Sequence, residues 1–149
     1  LADVLDSHEV TVAGDPPAAE SVPSEDVREA TVDGVRITLT GDAHVDEPSE
    51  FTLTFADATT GAPVSDLEPY LGAAGHVVVL REDGTRFAHR HAETYDDQGR
   101  PVLALPGTEF GPELDLHTRF EVAGAYRLWA QFRLGDGTVV TAPFVVHAR

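Results

Sequence analysis

Three of the seven histidines in this 149-residue chain fall between residues 76 and 91. His89 and His91 are separated by one residue, so on a β-strand both side chains lie on the same face. Imidazole nitrogens bind Cu(II), Zn(II) and Ni(II) well, whereas Cu(I) prefers sulfur ligands, and the chain contains neither cysteine nor methionine. We therefore predict that His76, His89 and His91 bind a metal ion, Cu(II) or Zn(II).

A predicted β-hairpin brings these histidines together. Asp83-Gly84 is a strong two-residue turn signal between two β-prone runs. With that turn as the loop, His76 opposes His91 and Val78 opposes His89, so all three imidazoles share a face. Directly opposed side chains have Cβ atoms about 4.5–5.5 Å apart, which is close enough for three rings to converge on one ion.

The other face of the same hairpin carries Arg81, Arg86 and Arg90. Arginine side chains mark a solvent-facing surface, so we expect the histidine face to point inward, near one end of the domain. A three-residue loop with a bulge is the alternative. It would shift the register by one and place Arg86 beside Leu80, which is a less regular pattern.

The fourth ligand is left open between water, His117 and a carboxylate of Asp66 or Glu68. The alternation around His117 predicts that it faces outward, which makes it the least certain of these ligands. A competing interpretation is that the three histidines are structural, with ring nitrogens bonded by backbone groups or by the acids of residues 66–70. We expect the remaining histidines, His8, His44 and His147, to be surface residues.

The elements that must position these residues are β-strands. From residue 30 onward, β-branched and aromatic runs alternate with Gly, Pro and Asp turn signals, and helical periodicity is nearly absent. This pattern predicts an all-β, immunoglobulin-like antiparallel β-sandwich of about seven to eight strands. The predicted strands are Val35–Thr40, Phe51–Phe55, His76–Arg81, Arg86–His91, Pro101–Leu105, Leu114–Val122, Tyr126–Leu134 and Thr138–Val146.

Alternation in the strand that begins at Tyr126 predicts which side chains are buried. Tyr126, Leu128 and every second residue after them form an apolar row, which places Trp129 on the outer face. The preceding Val122-Ala123-Gly124-Ala125 resembles the corner of immunoglobulin-like domains in which a tyrosine hydroxyl bonds back to the chain. Tyr126 is therefore predicted to be structural.

Residues 1–30 differ in composition from residues 31–149. They are acidic, rich in proline and poor in bulky apolar side chains, so we expect an extended N-terminal arm followed by one sandwich domain. Within the arm, His8–Ala13 alternates like one short strand. No run is long and apolar enough to insert into a membrane.

Charge narrows the class of ligand. The formal net charge is −16, and all ten basic residues are arginines. Nucleic acids and anionic membrane surfaces require a basic footprint, so they are excluded as partners, whereas a cation suits this surface.

Three other functional classes were weighed against metal binding. No nucleophile elbow, phosphate-binding glycine loop or dinucleotide motif occurs, so we expect no enzyme. The main rival is an immunoglobulin-like interaction or spacer module of a cell-surface protein, with Trp129 in a contact patch and structural histidines. Asp96-Asp97-Gln98-Gly99 lacks the ligand spacing of a dedicated calcium loop.

A family resemblance agrees with the first class. Residues 66–78, His89-Arg90-His91 and residues 124–128 resemble a family of secreted or membrane-anchored actinobacterial proteins, whose domain is similar to YtkA-like and CopC-like immunoglobulin-like modules found near copper-handling genes. The resemblance implies an extracytoplasmic location, a signal or anchor segment before Leu1, and contact with another envelope protein. Two departures limit it. Ala92 follows His91 where members often have proline, and the amino-terminal histidine of CopC-like copper sites is absent.

Overall fold

Eight β-strands make up the regular structure of the computed structural model, which describes residues 6, 8–15 and 21–149. The strands are β1 (Glu29–Val32), β2 (Val35–Gly41), β3 (Pro48–Asp57), β4 (Gly75–Arg81), β5 (Phe87–Glu93), β6 (Glu113–Arg119), β7 (Gly124–Arg133) and β8 (Val139–Ala148). All neighbouring strands are antiparallel, in the order β1-β2-β3-β6-β5-β4-β7-β8. The predicted all-β fold is confirmed.

The sheet folds over into two layers, β1-β2-β3-β6 and β5-β4-β7-β8. The layers are joined where β5 pairs with β6 only at Ala92 and Glu93. At the other side, Val27 exchanges two backbone hydrogen bonds with Val145 of β8, at 2.9 and 3.0 Å. Between the layers, the rings of Phe55 and Phe132 meet edge to face, 4.8 Å apart. The domain is therefore a sandwich whose edges are nearly closed.

The core between the layers consists of the inward members of each alternating strand. Its largest fully buried side chains include six phenylalanines, Phe51, Phe55, Phe110, Phe120, Phe132 and Phe144. Tyr126 is also buried, and its hydroxyl donates to the carbonyl of Val122 at 2.7 Å, which confirms the predicted corner. Trp129, three positions after the buried Tyr126 and out of phase with Leu128, lies on the outer face as predicted.

Three predictions about strands were wrong. Residues 101–105 form a loop instead of a strand, since their pairing with the chain after β5 is limited to the Tyr95–Pro101 bridge and the hydrogen bond from Val102 N–H to the Thr94 carbonyl. Residues 8–13 have no strand. Strand β1 was missed. Its signal was Asp33-Gly34, whose positive φ angles of 46° and 76° are those of a tight two-residue hairpin turn. None of the described residues forms a helix that is long and apolar enough to cross a membrane.

The register of the β4–β5 hairpin is confirmed, but its predicted orientation is wrong. His76 pairs with His91 and Val78 with His89, as the Asp83-Gly84 turn requires. However, Val77 is fully buried, so the histidines lie on the outer face of the sheet. The physical reason is that β5 pairs with β6 only at Ala92 and Glu93, which leaves residues 87–91 of β5 without a neighbour on that side among the described residues. Arg90, on the inner side of β5, can therefore extend towards solvent past this unpaired edge.

Candidate metal centre

The histidine trio, His76, His89 and His91, converges at the end of the β4–β5 hairpin. One ligand nitrogen from each residue lies within 4.8 Å of the other two. The rings of His76 and His89 are stacked at 5.2 Å, and His91 stands perpendicular to both, at 4.8 and 5.5 Å. Because β4 and β5 are directly paired, the positions of all three rings are set by one ladder of backbone hydrogen bonds.

His76 is held in one orientation by the chain that precedes β4. Its Nε2 lies 2.9 Å from the carbonyl oxygen of Tyr70, an atom that only accepts hydrogen bonds, so Nε2 carries the proton. The Tyr70 ring also packs edge to face on the imidazole. Nδ1 of His76 is therefore the free ligand atom, and a carbonyl bonded to the second ring nitrogen is the usual support of a metal-binding histidine.

The spacing of the nitrogens suits a metal ion. Nδ1 of His76 is 3.2 Å from Nε2 of His89. Two nitrogens bound to a tetrahedral Zn(II) at about 2.05 Å each lie about 3.4 Å apart, so this pair needs little movement to share an ion. His76 is buried, with 9 % of its surface exposed, whereas His89 and His91 are exposed. The ion would therefore have one side open to solvent.

The turn before β4 places the Tyr70 carbonyl. Tyr70 and Ala73 exchange two backbone hydrogen bonds, at 2.8 and 3.1 Å, around Leu71 and Gly72. Both central residues have positive φ, 49° for Leu71 and 84° for Gly72. Glycine accepts this conformation readily, but leucine does so at a cost.

His91 disfavours protonation. Burial lowers the pKa of His91 below its ordinary value, and the neighbouring His76 and His89 lower it further, while Glu93 opposes the shift. A proton on one imidazole creates a cation beside the other two rings, and a second proton on the trio would add repulsion between like charges. A neutral imidazole is the form that binds a metal ion.

The structure does not bring the other predicted ligands to the trio. His117 is exposed on β6, where its Nδ1 lies 3.8 Å from a carboxylate oxygen of Glu50. Asp66 and Glu68 line a separate cavity of about 520 Å³, and Glu68 pairs with Arg133 at 2.9 Å. The fourth ligand stays a prediction, and water is the candidate that needs no rearrangement of these side chains.

One structural arrangement of histidine was missed from the sequence. His147, predicted to be a surface residue, is half-buried and bonded to Asp26 through both its ring and its backbone nitrogen, each at 2.8 Å. His8 and His44 are exposed, as predicted. No local signal links His147 to Asp26, because 121 residues separate them.

Comparisons with known proteins give a family and two distant likenesses of structure. The solved structures that are similar include CopC from Methylosinus trichosporium OB3b, with a TM-score of 0.45 and 18 % identity over 75 % of this chain and 92 % of that one. Another is a Bacillus anthracis protein with the provisional name of lipoprotein, with a TM-score of 0.43 and 11 % identity over 83 % of this chain and 78 % of that one.

These likenesses are too distant to carry an argument about function, and no curated protein matches the chain. The actinobacterial and YtkA-like parts of the resemblance stay predictions. A family model does match, over residues 30–149, which is most of the chain. The chain therefore belongs to the family described as Domain of unknown function (DUF8832).

Proposed function

We propose that this domain binds one divalent transition-metal ion, Cu(II) or Zn(II), through His76, His89 and His91. The observation that carries the proposal is the convergence of three ligand nitrogens within 4.8 Å on one hairpin. The Tyr70 carbonyl adds to it, because it keeps Nδ1 of His76 unprotonated and directed at His89. Three imidazoles without sulfur favour Cu(II) over Zn(II) in affinity by the general order of divalent metals.

The electrostatics of the chain support a cationic ligand. A net charge of −16 attracts cations and raises their concentration at the surface. Glu93, next to Ala92 on the same strand, contributes negative charge near His91. The lowered pKa of His91 favours its neutral form, which is the form that binds an arriving ion.

The proposed role is binding without catalysis. Catalytic metal sites combine an open coordination position with a dry, shaped cavity that holds the substrate. Here His89 and His91 lie on an exposed outer face, and the cavity beside His91 has a volume of about 130 Å³. That volume is well below the roughly 300 Å³ at which small-molecule pockets begin. A location outside the cytoplasm is part of the same proposal and rests on the family resemblance.

A titration with Cu(II) and Zn(II) tests the proposal, and the chain supplies its own optical reporter. Trp129 is the single tryptophan, and it pairs with Val78, which pairs with His89. Two strand spacings separate Trp129 from His89, about 10 Å. We expect Cu(II) to quench Trp129 fluorescence and both metals to raise the melting temperature, since an ion that binds only the folded state stabilises it.

Matched variants make the test specific. His89→Ala removes an exposed ligand and is expected to abolish the saturable quenching. His44→Ala removes an equally exposed histidine outside the trio and is expected to change nothing. His117→Ala tests whether His117 is the fourth ligand of the ion. A melting curve that does not move at saturating metal, or quenching that survives in His89→Ala, would refute the proposal.

A further inference from the structure

We propose that the surface beside the histidine trio is a docking site for a partner protein that exchanges the metal ion. The partner presents apolar side chains surrounded by basic residues. The inference rests on the proposed function and names its partner. The surface, here called the leucine patch, consists of Leu71, Val102, Leu103 and Leu105.

The leucine patch is an unusual concentration of exposed apolar side chains. Among the described residues, eight large hydrophobic side chains are exposed, and four of them belong to the patch. All three exposed leucines are in it, with exposed fractions of 77 % for Leu71, 70 % for Leu103 and 58 % for Leu105. Single exposed apolar residues need no explanation, but a group of them marks an interaction site.

The leucine patch is continuous with the metal centre. One small cavity is lined by His91 and Glu93 on one side and by Val102 and Leu103 on the other. Gly72, the neighbour of Leu71 in the turn that anchors His76, lines the same cavity. A partner that covers the patch would therefore lie over the open side of the trio.

Neither packing nor backbone preference explains a leucine at position 71. Its side chain is mostly exposed, and its φ of 49° occurs at the first central position of a turn that favours Asn, Asp or Gly. Local choices that cost stability with no gain in packing tend to occur at functional sites. Contact with a partner supplies the missing gain.

Charge decides which partner fits. The cavity that adjoins the patch through Gly72 and Ala104 is lined by Asp66, Glu68 and Glu109. Its one lining arginine, Arg133, pairs with Glu68, so two carboxylates remain in excess and the rim of the patch is acidic. A second copy of this chain would bring another −16 of charge, which opposes self-association. A basic rim on a different protein would be attracted, and such complementarity sets both specificity and association rate. A histidine of that partner could complete the open coordination position.

The test uses a defined probe, a fluorescently labelled synthetic peptide of arginine and leucine with one central histidine. Its binding to the metal-loaded full chain is followed by anisotropy. We expect the Leu103→Ser/Leu105→Ser variant to bind the peptide at least about tenfold more weakly than the wild type does. Val10→Ser/Val12→Ser is the matched control, since it removes two exposed valines of the arm and is expected to leave affinity within about twofold. Cu(II) quenching of Trp129 should be the same in both variants.

Three outcomes would overturn the inference. The first is equal peptide affinity for the Leu103→Ser/Leu105→Ser variant and the wild type. The second is unchanged binding of a peptide with glutamate in place of arginine. The third is a metal-loaded dimer in size-exclusion chromatography with light scattering that is lost in the leucine variant, since the occupant would then be a second copy.

Failure of the metal site would look different. In that case Trp129 would show no saturable quenching, while a peptide with alanine in place of histidine would still bind the metal-free protein in a leucine-dependent way. The docking surface would then stand without the metal. Loss of leucine dependence in the presence of normal metal binding would reject the docking surface alone.

Discussion

The histidine trio and the cluster of Asp26, Arg28 and His147, here called the Asp26 cluster, differ in how their polar atoms are matched. The seam of the sandwich is the side where Val27 bonds to Val145 of β8. At this seam, Asp26 accepts hydrogen bonds from the backbone and ring of His147 and from two nitrogens of Arg28, at 2.7 to 2.9 Å. In the trio, among the described residues, only the ring of His76 has a hydrogen bond to a group outside the three imidazoles.

The difference separates a structural histidine from a candidate ligand. In the Asp26 cluster every charge has an opposite partner, and the cluster holds the chain beside Val27, which bonds to β8. In the trio, Nδ1 of His76 lies 3.2 Å from Nε2 of His89, and among the described residues no carboxylate forms a hydrogen bond with any of the three rings. A matched cluster stabilises the fold by itself, whereas an unmatched one gains most when an ion arrives.

The sharpest way to test this contrast is to remove one histidine from each cluster and measure metal binding. We expect His76→Ala to weaken the binding affinity for Cu(II) by at least about 100-fold, because the substitution removes both a ligand and the hydrogen bond to Tyr70. His147→Ala should leave Cu(II) affinity unchanged. Isothermal titration calorimetry measures both, and comparable losses in the two variants would contradict the contrast.

The two clusters should behave in the opposite way when stability is measured without metal. His147→Ala removes the ring hydrogen bond to the exposed Asp26, and we expect a loss of about 0.5–1.5 kcal/mol in the free energy of unfolding. His89→Ala changes an exposed residue, and a change within about 0.5 kcal/mol is expected. Urea denaturation without metal checks this pair, and a larger loss for His89→Ala would mean that the trio is structural.

Much of the fold and the composition of the trio could be predicted from the sequence because they depend on local patterns. The Asp83-Gly84 turn fixes the register of the hairpin, and register alone decides that His76 opposes His91. Seven of the eight predicted strands overlap observed ones for the same reason, since alternation and turn residues act over a few positions.

The orientation of the trio could not be predicted because it depends on pairing between distant strands. Val77 to Leu80 is apolar at every position, so β4 does not show which face is buried. The deciding contact is with β7, where His76 pairs with Gln131 and Val78 with Trp129. Trp129 was correctly predicted to face outward, and paired residues share a face, but nothing in the sequence joins β4 to β7.

The anchoring turn offers a smaller test of the same contrast. The Asp26 cluster relies on ordinary backbone geometry, whereas the Tyr70 carbonyl is held by Leu71 at a φ of 49°. Leu71→Asn suits this conformation better, and we expect it to raise the free energy of unfolding by about 0.5–1 kcal/mol. Thermal and urea denaturation measure the gain. A loss of stability would mean that the exposed leucine packs within the domain, which would also weaken the case for the leucine patch.

The smallest expected effect is the acid dependence of the Asp26 cluster. Burial tends to raise the pKa of Asp26, but its hydrogen bonds to His147 and Arg28 outweigh this and keep the pKa below the ordinary 3.8. The folded state therefore binds this proton more weakly than the unfolded state. Stability from the cluster is present above pH 3.8 and is lost as the pH falls through the lowered value.

Asp26→Asn isolates that contribution. The difference in unfolding free energy between wild type and Asp26→Asn should shrink as the pH falls below 3.8, in urea denaturation at a series of pH values. A difference that persists unchanged to the acid limit would mean that Asp26 acts through packing instead of charge. The distinction between a charge-matched cluster at the seam and an ion-free trio on the outer face would then lose its electrostatic basis.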